Sequence, residues 1–410
     1  MIQLRDYQLK TLKKIRNGSI IRGDVGSGKS LTSLSYYYLM QGGSLKYLKG
    51  GEYRYLKNPQ NLYIITTAKK RNDKEWDKEL AHFKMSSNPD DNYYSNEVVV
   101  DSWNNIKKYA DVRHGFFIFD EQRLVGTGVW VKTFYKIAKR NKWILLSATP
   151  GDEYKDYAPV LIANGYFKNM YQFEYNHVIF NRYVKYKQID RYMNTDILDK
   201  IIKSIEVPMD YQGVANLHHI DIVCKFDRKK YANVGELRWD PYDDKPIETK
   251  AKLCYLWRRI SNEDISRQVE LLKLHNKHPK LIVFYNHQYE RDILVNLNYQ
   301  ENTIVAEYNS NNHDEIPNSD KWIYIVQYAA GCEGWNCIDT DATVFYSQSY
   351  SYKQTHQASG RINRMNTPYK DLYYYHFRSM SPIDLGIYLC LKNKKQFNET
   401  RFLKKKSIDI

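Results

Sequence analysis

The sequence predicts an α/β protein of two tandem domains, each built on a parallel central sheet, and three observations carry that reading. The chain has 410 residues, more than one hydrophobic core usually serves. Short β-branched or aromatic runs recur, each followed by a polar or glycine-containing turn and a helix-like stretch, as in βα units around a parallel sheet. These runs form two sets separated by a long intervening stretch, so two sheets are expected.

The first set is Ser19–Arg22, Leu62–Thr66, Val98–Val100, Phe116–Phe119 and Trp143–Leu146. The second is Leu281–Tyr285, Thr303–Ala306, Ile323–Val326, Thr343–Tyr346 and Tyr373–His376. Between them, from about Gly151 to Ile260, the chain is rich in Tyr, Lys and Asn, with helix-like Tyr157–Asn164 and Ile197–Ile205 and a strand-like His219–Cys224. This stretch finishes the first domain and begins the second, and the boundary is expected near Tyr183–Gln188, giving domains 1–185 and 186–410.

Lys and Arg number 62 against 47 Asp and Glu, a formal charge of +15. Such a field draws polyanions and makes nucleic acid the natural first partner, although many basic proteins bind none. The five cysteines (Cys224, Cys254, Cys332, Cys337 and Cys390) contain no C-x-x-C pair, so neither a zinc cluster nor a disulfide framework is indicated, and a reducing cytoplasm fits. The start MIQLRDYQLK lacks a signal-peptide core, and no apolar run approaches the roughly 18 residues that span a bilayer, so no membrane association is expected. The excess of Tyr (38) over Phe (14) reads as composition bias.

Gly23-Asp-Val-Gly26-Ser27-Gly28-Lys29-Ser30 is a complete G-x-x-x-x-G-K-S, placed after an apolar strand and before the helix-like Leu31–Met40. That context is what the motif needs. Glycines let backbone N–H groups close around the β-phosphate at a helix N-terminus, Lys29 neutralises β- and γ-phosphate oxygens, and the Ser30 hydroxyl coordinates Mg²⁺. A loop that bound nucleotide without hydrolysing it would have the same glycines. Against that alternative stands Phe116-Phe-Ile-Phe119-Asp120-Glu121, an apolar run ending in two carboxylates, as a buried strand does when it delivers acids to its C-terminal edge. Asp120 would hold Mg²⁺ through water, and Glu121 would orient and deprotonate the attacking water. Trp143-Ile-Leu-Leu-Ser147-Ala148-Thr149-Pro150 is another strand ending in hydroxyls, which could bond the Asp120/Glu121 loop or simply form a turn.

In this order the motifs resemble those of DEAD/DEAH-box-like superfamily 2 helicases and translocases, over nearly the whole chain. Leu4-Arg5-Asp6-Tyr7-Gln8 resembles the adenine-contacting element, with Gln8 as base reader. Thr66-Thr67-Ala68-Lys69-Lys70 and Asp101-Ser102-Trp103 resemble the two segments that hold the nucleic-acid backbone. Leu281–His287 resembles motif IV, Ala330-Gly331-Cys332-Glu333-Gly334-Trp335-Asn336 motif V, and Gln357-Ala-Ser-Gly360-Arg361-Ile-Asn-Arg364 motif VI. The i, i+3 spacing of Arg361 and Arg364 suits one helical face.

The resemblance implies two tandem RecA-like P-loop NTPase domains, with ATP and Mg²⁺ as cofactors. It assigns catalysis to Lys29, Asp120, Glu121, Arg361 and Arg364, and nucleotide contacts to Arg5, Gln8, the loop Gly26–Ser30, Gly334 and Gln357. Ser30 and Asp120 would serve Mg²⁺. Nucleic acid, DNA before RNA, would meet Thr67, Lys69, Lys70, Ser102, Trp103, Asn286, Gly331 and Asn336. Trp103 and Trp335 could stack on bases, although tryptophans beside small residues are also at home in a core. The implied activity is a nucleic-acid-dependent ATPase that ratchets along one strand as its two domains close and open on ATP, with both halves of the site in one chain, so that a monomer suffices.

Asp120-Glu121-Gln122-Arg123 is neither DEAD nor DEAH. The region after Thr149 is closer to Swi/Snf-related translocases, compact phage-encoded ones above all, which points to viral DNA replication or recombination. The alternatives are a duplex translocase that remodels branched DNA without separating strands, an RNA helicase, and an ATP-dependent switch that is no motor.

Overall fold

The structure, a computed structural model, describes residues 4–24, 26–46, 51–121, 124, 126–151, 153–181, 187–211, 213, 215–331, 335, 337–364 and 366–405. The chain divides into two compact units, residues 1–212 and 213–410.

The first unit contains β1 (Ile20–Arg22), β2 (Leu62–Thr66), β3 (Val98–Ser102), β4 (Phe116–Asp120), β5 (Lys142–Ser147), a hairpin of β6 (Val178–Phe180) and β7 (Ile189–Tyr192), and β8 (Glu206–Pro208). Six of these form one sheet in the order β3-β2-β4-β5-β1-β8, and every pairing in it is parallel. Strands in such a sheet are covered on both faces and read as continuous apolar runs. Alternation then sends neighbouring residues to opposite sides. Ile21, Ile64, Ile118 and Leu146 enter one core with the helix Lys29–Met40, while Ile20, Ile65, Phe119 and Leu145 enter the other with Phe134 and Leu161. Each such side chain is worth about 1.5–3 kcal/mol of burial.

The second unit contains β9 (Asn216–Cys224), a two-residue hairpin of β10 (Trp239–Asp240) and β11 (Lys245–Pro246), β12 (Lys280–Tyr285), β13 (Ile304–Tyr308), β14 (Trp322–Gln327), β15 (Ala342–Phe345) and β16 (Asp371–Ser379). Its six-stranded sheet runs β13-β14-β12-β15-β16-β9, again all parallel. A separate cluster centred on Trp257, Leu253, Ile383 and Leu403 packs the helices Lys250–Asn262, Pro382–Lys392 and Glu399–Lys405 together. The two parallel sheets bear out the fold class expected from the sequence.

The division falls later than the expected 185/186. β8 is a parallel edge strand of the first sheet, with Val207 opposite Ile21, and Leu198 and Ile205 from the helix Thr195–Ile205 lie in the first unit's core. Three residues, Glu-Val-Pro, carry too little pattern to announce a strand. Among the described residues no helix is long and apolar enough to cross a membrane.

Candidate nucleotide site and its flanking motifs

The phosphate loop follows β1 in the interior of the first sheet. Gly26 (φ 81°) and Gly28 (φ 74°) take left-handed backbone conformations that only glycine adopts without strain, and Gly28 is the N-cap of the helix Lys29–Met40. The N–H groups of the first helical turn therefore have no partner within the helix, which suits an anion. Lys29 Nζ donates to Gly23 O at 2.6 Å and Asp24 O at 2.8 Å. Burial lowers its pKa to about 8; Lys70 adds to this, and Glu121 and Asp120 oppose it. Ser30 is half-buried beside it.

The expected adenine element is tied to this loop. Tyr7 OH donates to Ser27 O at 2.9 Å, and Gln8 Nε2 donates to Gly28 O at 3.4 Å and Thr32 Oγ1 at 3.3 Å. Gln8 Oε1 accepts from Arg5 N at 2.8 Å, so Gln8, 2% exposed, caps the start of its own helix with one end of its amide and holds the loop with the other. Arg5 is exposed at the start of the helix Asp6–Leu12. Ser27 is buried, its hydroxyl 3.9 Å from Met209 Sδ beyond β8.

The acids sit where β4 leaves the sheet. Register pairs Asp120 with Leu146 and Arg22 with Ser147, so the residues after β1 and β4 emerge at one edge with only β5 between them, strand axes roughly 10 Å apart. Asp120 is buried, and its Oδ2 accepts from Thr66 Oγ1 (2.8 Å), Lys70 Nζ (2.9 Å) and Trp76 Nε1 (3.2 Å). Burial would raise its pKa, and the Lys70 ammonium outweighs that, leaving Asp120 below the usual carboxylate range. Glu121 has φ 65°, sparsely populated for a residue with a side chain, and such strain tends to collect at functional sites. Its Oε1 lies 3.7 Å from Lys70 Nζ, while its Oε2 is buried without a hydrogen-bond partner among the described residues.

Thr149 Oγ1 is likewise buried and unpartnered among the described residues, and Ser147 Oγ accepts from Thr149 N at 3.1 Å rather than bonding the acids. Unsatisfied buried acceptors beside a cationic loop fit a nucleotide and its attacking water. Among the described residues no group of three or more His, Cys, Asp or Glu could hold a metal. The donor set, the Ser30 hydroxyl and the Asp120 carboxylate, fits Mg²⁺ that takes its other ligands from phosphate and water.

The nucleic-acid segments are partly corrected. Thr67 and Lys69 are half-buried, Thr67 capping the helix Ala68–Asn72 by accepting from Lys70 N. Lys70 points to the acids, its Nζ 2.9 Å from Asp120 Oδ2 and 3.7 Å from Glu121 Oε1. Burial works against its charge, but Asp120 and then Glu121 outweigh it, and Lys70 titrates above the ordinary lysine range. Ser102 and Trp103 are buried, and Trp103 Nε1 donates to Asp120 O at 3.0 Å, so this indole is core and is not available to stack on bases.

In the second unit, Asn286 Nδ2 donates to Ser347 Oγ (2.8 Å) and Gln348 O (3.2 Å), and its N–H donates to Glu290 Oε2 (2.8 Å), so its amide holds the end of β12. Gly331 is a packing residue: a Cβ there would meet Val326 Cγ1 at 2.2 Å. Trp335 Nε1 donates to Gly331 O at 2.7 Å, and its half-buried ring packs on Tyr324 at the margin of the core. Gly334 and Asn336 lie outside the described residues. Gln357 is buried on the helix Tyr352–Ser359, which ends at Gly360. Arg361 and Arg364 therefore lie beyond the helix, and the one-face geometry read from their spacing does not apply. They converge through a shared acceptor instead: Arg361 Nη1 donates to Trp335 O at 2.7 Å and Arg364 Nη2 to the same oxygen at 3.3 Å.

No protein-family model matches the sequence, and no curated protein matches it. Among solved structures, the chain aligns with SWI2/SNF2 ATPase cores. One is the Sulfolobus solfataricus SWI2/SNF2 ATPase core in complex with dsDNA, at 15% identity and a TM-score of 0.42, covering 98% of this chain and 92% of that one. Another is the Sulfolobus solfataricus SWI2/SNF2 ATPase core domain, at 15% identity and a TM-score of 0.40, covering 100% and 91%. The fold class rests on the two sheets themselves.

Several site residues escaped the motif reading. Trp76, in a helix whose pattern marks it only as core, donates to Asp120 across 44 residues of sequence, and Met209 meets Ser27 across 182. Tyr7 lies inside the Leu4–Gln8 element, and that position is its signal in the sequence.

Proposed function

We propose that the chain is an ATP-driven motor on nucleic acid, binding ATP on the phosphate loop and hydrolysing it with the Asp120/Glu121 pair. The carrying observation is Glu121 itself: a strained backbone holds a carboxylate with one buried oxygen unpartnered among the described residues, at the same sheet edge as Lys29. A protein that used ATP only to hold a shape would have no use for a water-activating acid there. Mg²⁺, held by Ser30 and Asp120, would supply charge neutralisation between phosphates. Lys29 binds phosphate, Asp120 positions the metal's ligands, and Glu121 takes the water proton.

Of the two arginines, Arg364 is the one assigned to the γ-phosphate in the ATP-bound cycle. Arg361 is 5% exposed with its guanidinium on Gln357 O and Trp335 O, and Arg364, which also bonds Trp335 O, is the more exposed of the two. DNA is the first track to test, because the motif order resembles Swi/Snf-related translocases, phage-encoded forms among them, which suits replication or recombination. The formal charge of +15 supports a polyanionic partner of either kind.

The test is the steady-state ATPase rate at low and moderate salt with no nucleic acid, single-stranded DNA, duplex DNA, a forked junction and RNA. Stimulation of tenfold or more by one of these names the track, and strand-displacement and branch-migration assays then separate a helicase from a duplex translocase. A rate unmoved by all of them overturns the motor reading in favour of an ATP-dependent switch.

A further inference from the structure

We propose that Lys70 is a positioning residue of the hydrolytic site, acting through Asp120 and Glu121, and makes no contact with the nucleic-acid backbone; this rests on the motor reading above. The geometry is local to the first unit. Lys70 Nζ lies 2.9 Å from Asp120 Oδ2 and 3.7 Å from Glu121 Oε1, so a single ammonium bridges the metal-side acid and the water-side acid. Its side chain is only 22% exposed. A lysine that served a solvent-facing phosphate backbone would keep its ammonium in water.

The rest of the cluster supports a fixed point. Thr66 Oγ1 and Trp76 Nε1 donate to the same Asp120 oxygen, and Trp103 Nε1 donates to the Asp120 carbonyl. The carboxylate is thus gripped from the end of β2, from the helix Ala68–Asn72 and from the helix Glu75–Leu80, while the backbone of β4 is gripped from beyond β3. Lys70 is the one member of this set that also reaches Glu121, whose strained backbone needs an external hold. Removing the ammonium releases Glu121 from its aim while leaving the phosphate loop and its Lys29 in place. The expected kinetic signature is a lost rate at a kept affinity, since transition-state positioning fails and ground-state binding does not.

The experiment compares wild type, Lys70→Met and Lys70→Arg for ATP turnover, for the KM of ATP, and for the salt dependence of nucleic-acid affinity measured without nucleotide. The proposal expects kcat to fall at least tenfold in Lys70→Met with KM within twofold, and an unchanged slope of log affinity against log salt. Lys70→Arg, which keeps a cation within reach of both acids, recovers most of the turnover and guards against a folding defect. A backbone contact predicts the opposite pattern: turnover without nucleic acid within twofold of wild type, and a salt slope smaller by about one. That result overturns the proposal, as does a Lys70→Arg variant no better than Lys70→Met. If nucleic acid fails to stimulate wild-type turnover, the motor reading falls, and Lys70 is still decided by the kcat and KM of its variants.

Discussion

Arg361 and Arg364 share one acceptor, the carbonyl oxygen of Trp335, at 2.7 and 3.3 Å. Two guanidiniums on one oxygen have different work when their burial differs. Arg361 is buried and fixes the Trp335 segment to the end of the helix Tyr352–Ser359, while Arg364 stands farther out. Arg364→Ala is therefore expected to keep nucleotide affinity and lose turnover by about 10³-fold, the scale of a finger arginine. Arg361→Ala should instead destabilise the second unit, at about 1.5–3 kcal/mol for each charge-assisted bond lost. Equilibrium nucleotide binding, turnover and urea unfolding of both variants check this; normal turnover in the Arg364 variant would refute the assignment.

Glu121→Gln keeps the shape of the side chain and removes the base. Turnover should fall by about 10²–10⁴-fold while nucleotide affinity stays within a few-fold of wild type. A stable complex with unhydrolysed ATP, seen by chromatography of the bound nucleotide, is the expected product. Loss of binding instead would place Glu121 in the binding step.

Burial lowers Lys29 to about 8, against about 10.4 for a free lysine. The unfolded chain holds this proton up to higher pH than the folded one, so between these values it binds more protons and stability rises with pH. Below about 8 the folded protein bears the full cost of the buried charge. The rise between pH 8 and 10 should shrink in nucleotide-free Lys29→Met, as read from urea midpoints. Phosphate beside the ammonium reverses the shift, so ATP binding at pH 8 should take up a fraction of a proton, measurable by calorimetry in two buffers of different ionisation enthalpy.

Arg267 and Asp384 form a buried ion pair at 2.8 Å in the second unit, with Arg267 also bonded to Ser261 O and Tyr346 O. Asp384→Ala strands that charge and should cost about 3–5 kcal/mol. Nucleotide affinity, which the proposed function seats in the first unit, should be unchanged; a loss of affinity without a loss of stability would contradict this.

The sequence by itself determined the fold class and the nucleotide loop. Short continuous apolar runs rich in aromatic and β-branched residues, such as Phe116–Phe119, suit central strands of a sheet covered on both faces, and the glycines of the loop take left-handed conformations at Gly26 and Gly28. Local periodicity and local sterics carry such information. Tertiary structure alone decided where Lys70, Trp103 and Arg361 point. Each sits in a motif that suits an outward role, and each turns to a partner distant in sequence: Asp120 lies 50 residues from Lys70 and 17 from Trp103, and Trp335 lies 26 from Arg361. The same was true of the domain division, fixed by the pairing of three-residue β8 with β1. A side chain's spacing tells which residues share a face, but its direction is set by the nearest charge or cavity that folding brings to it, and that neighbour is written elsewhere in the chain.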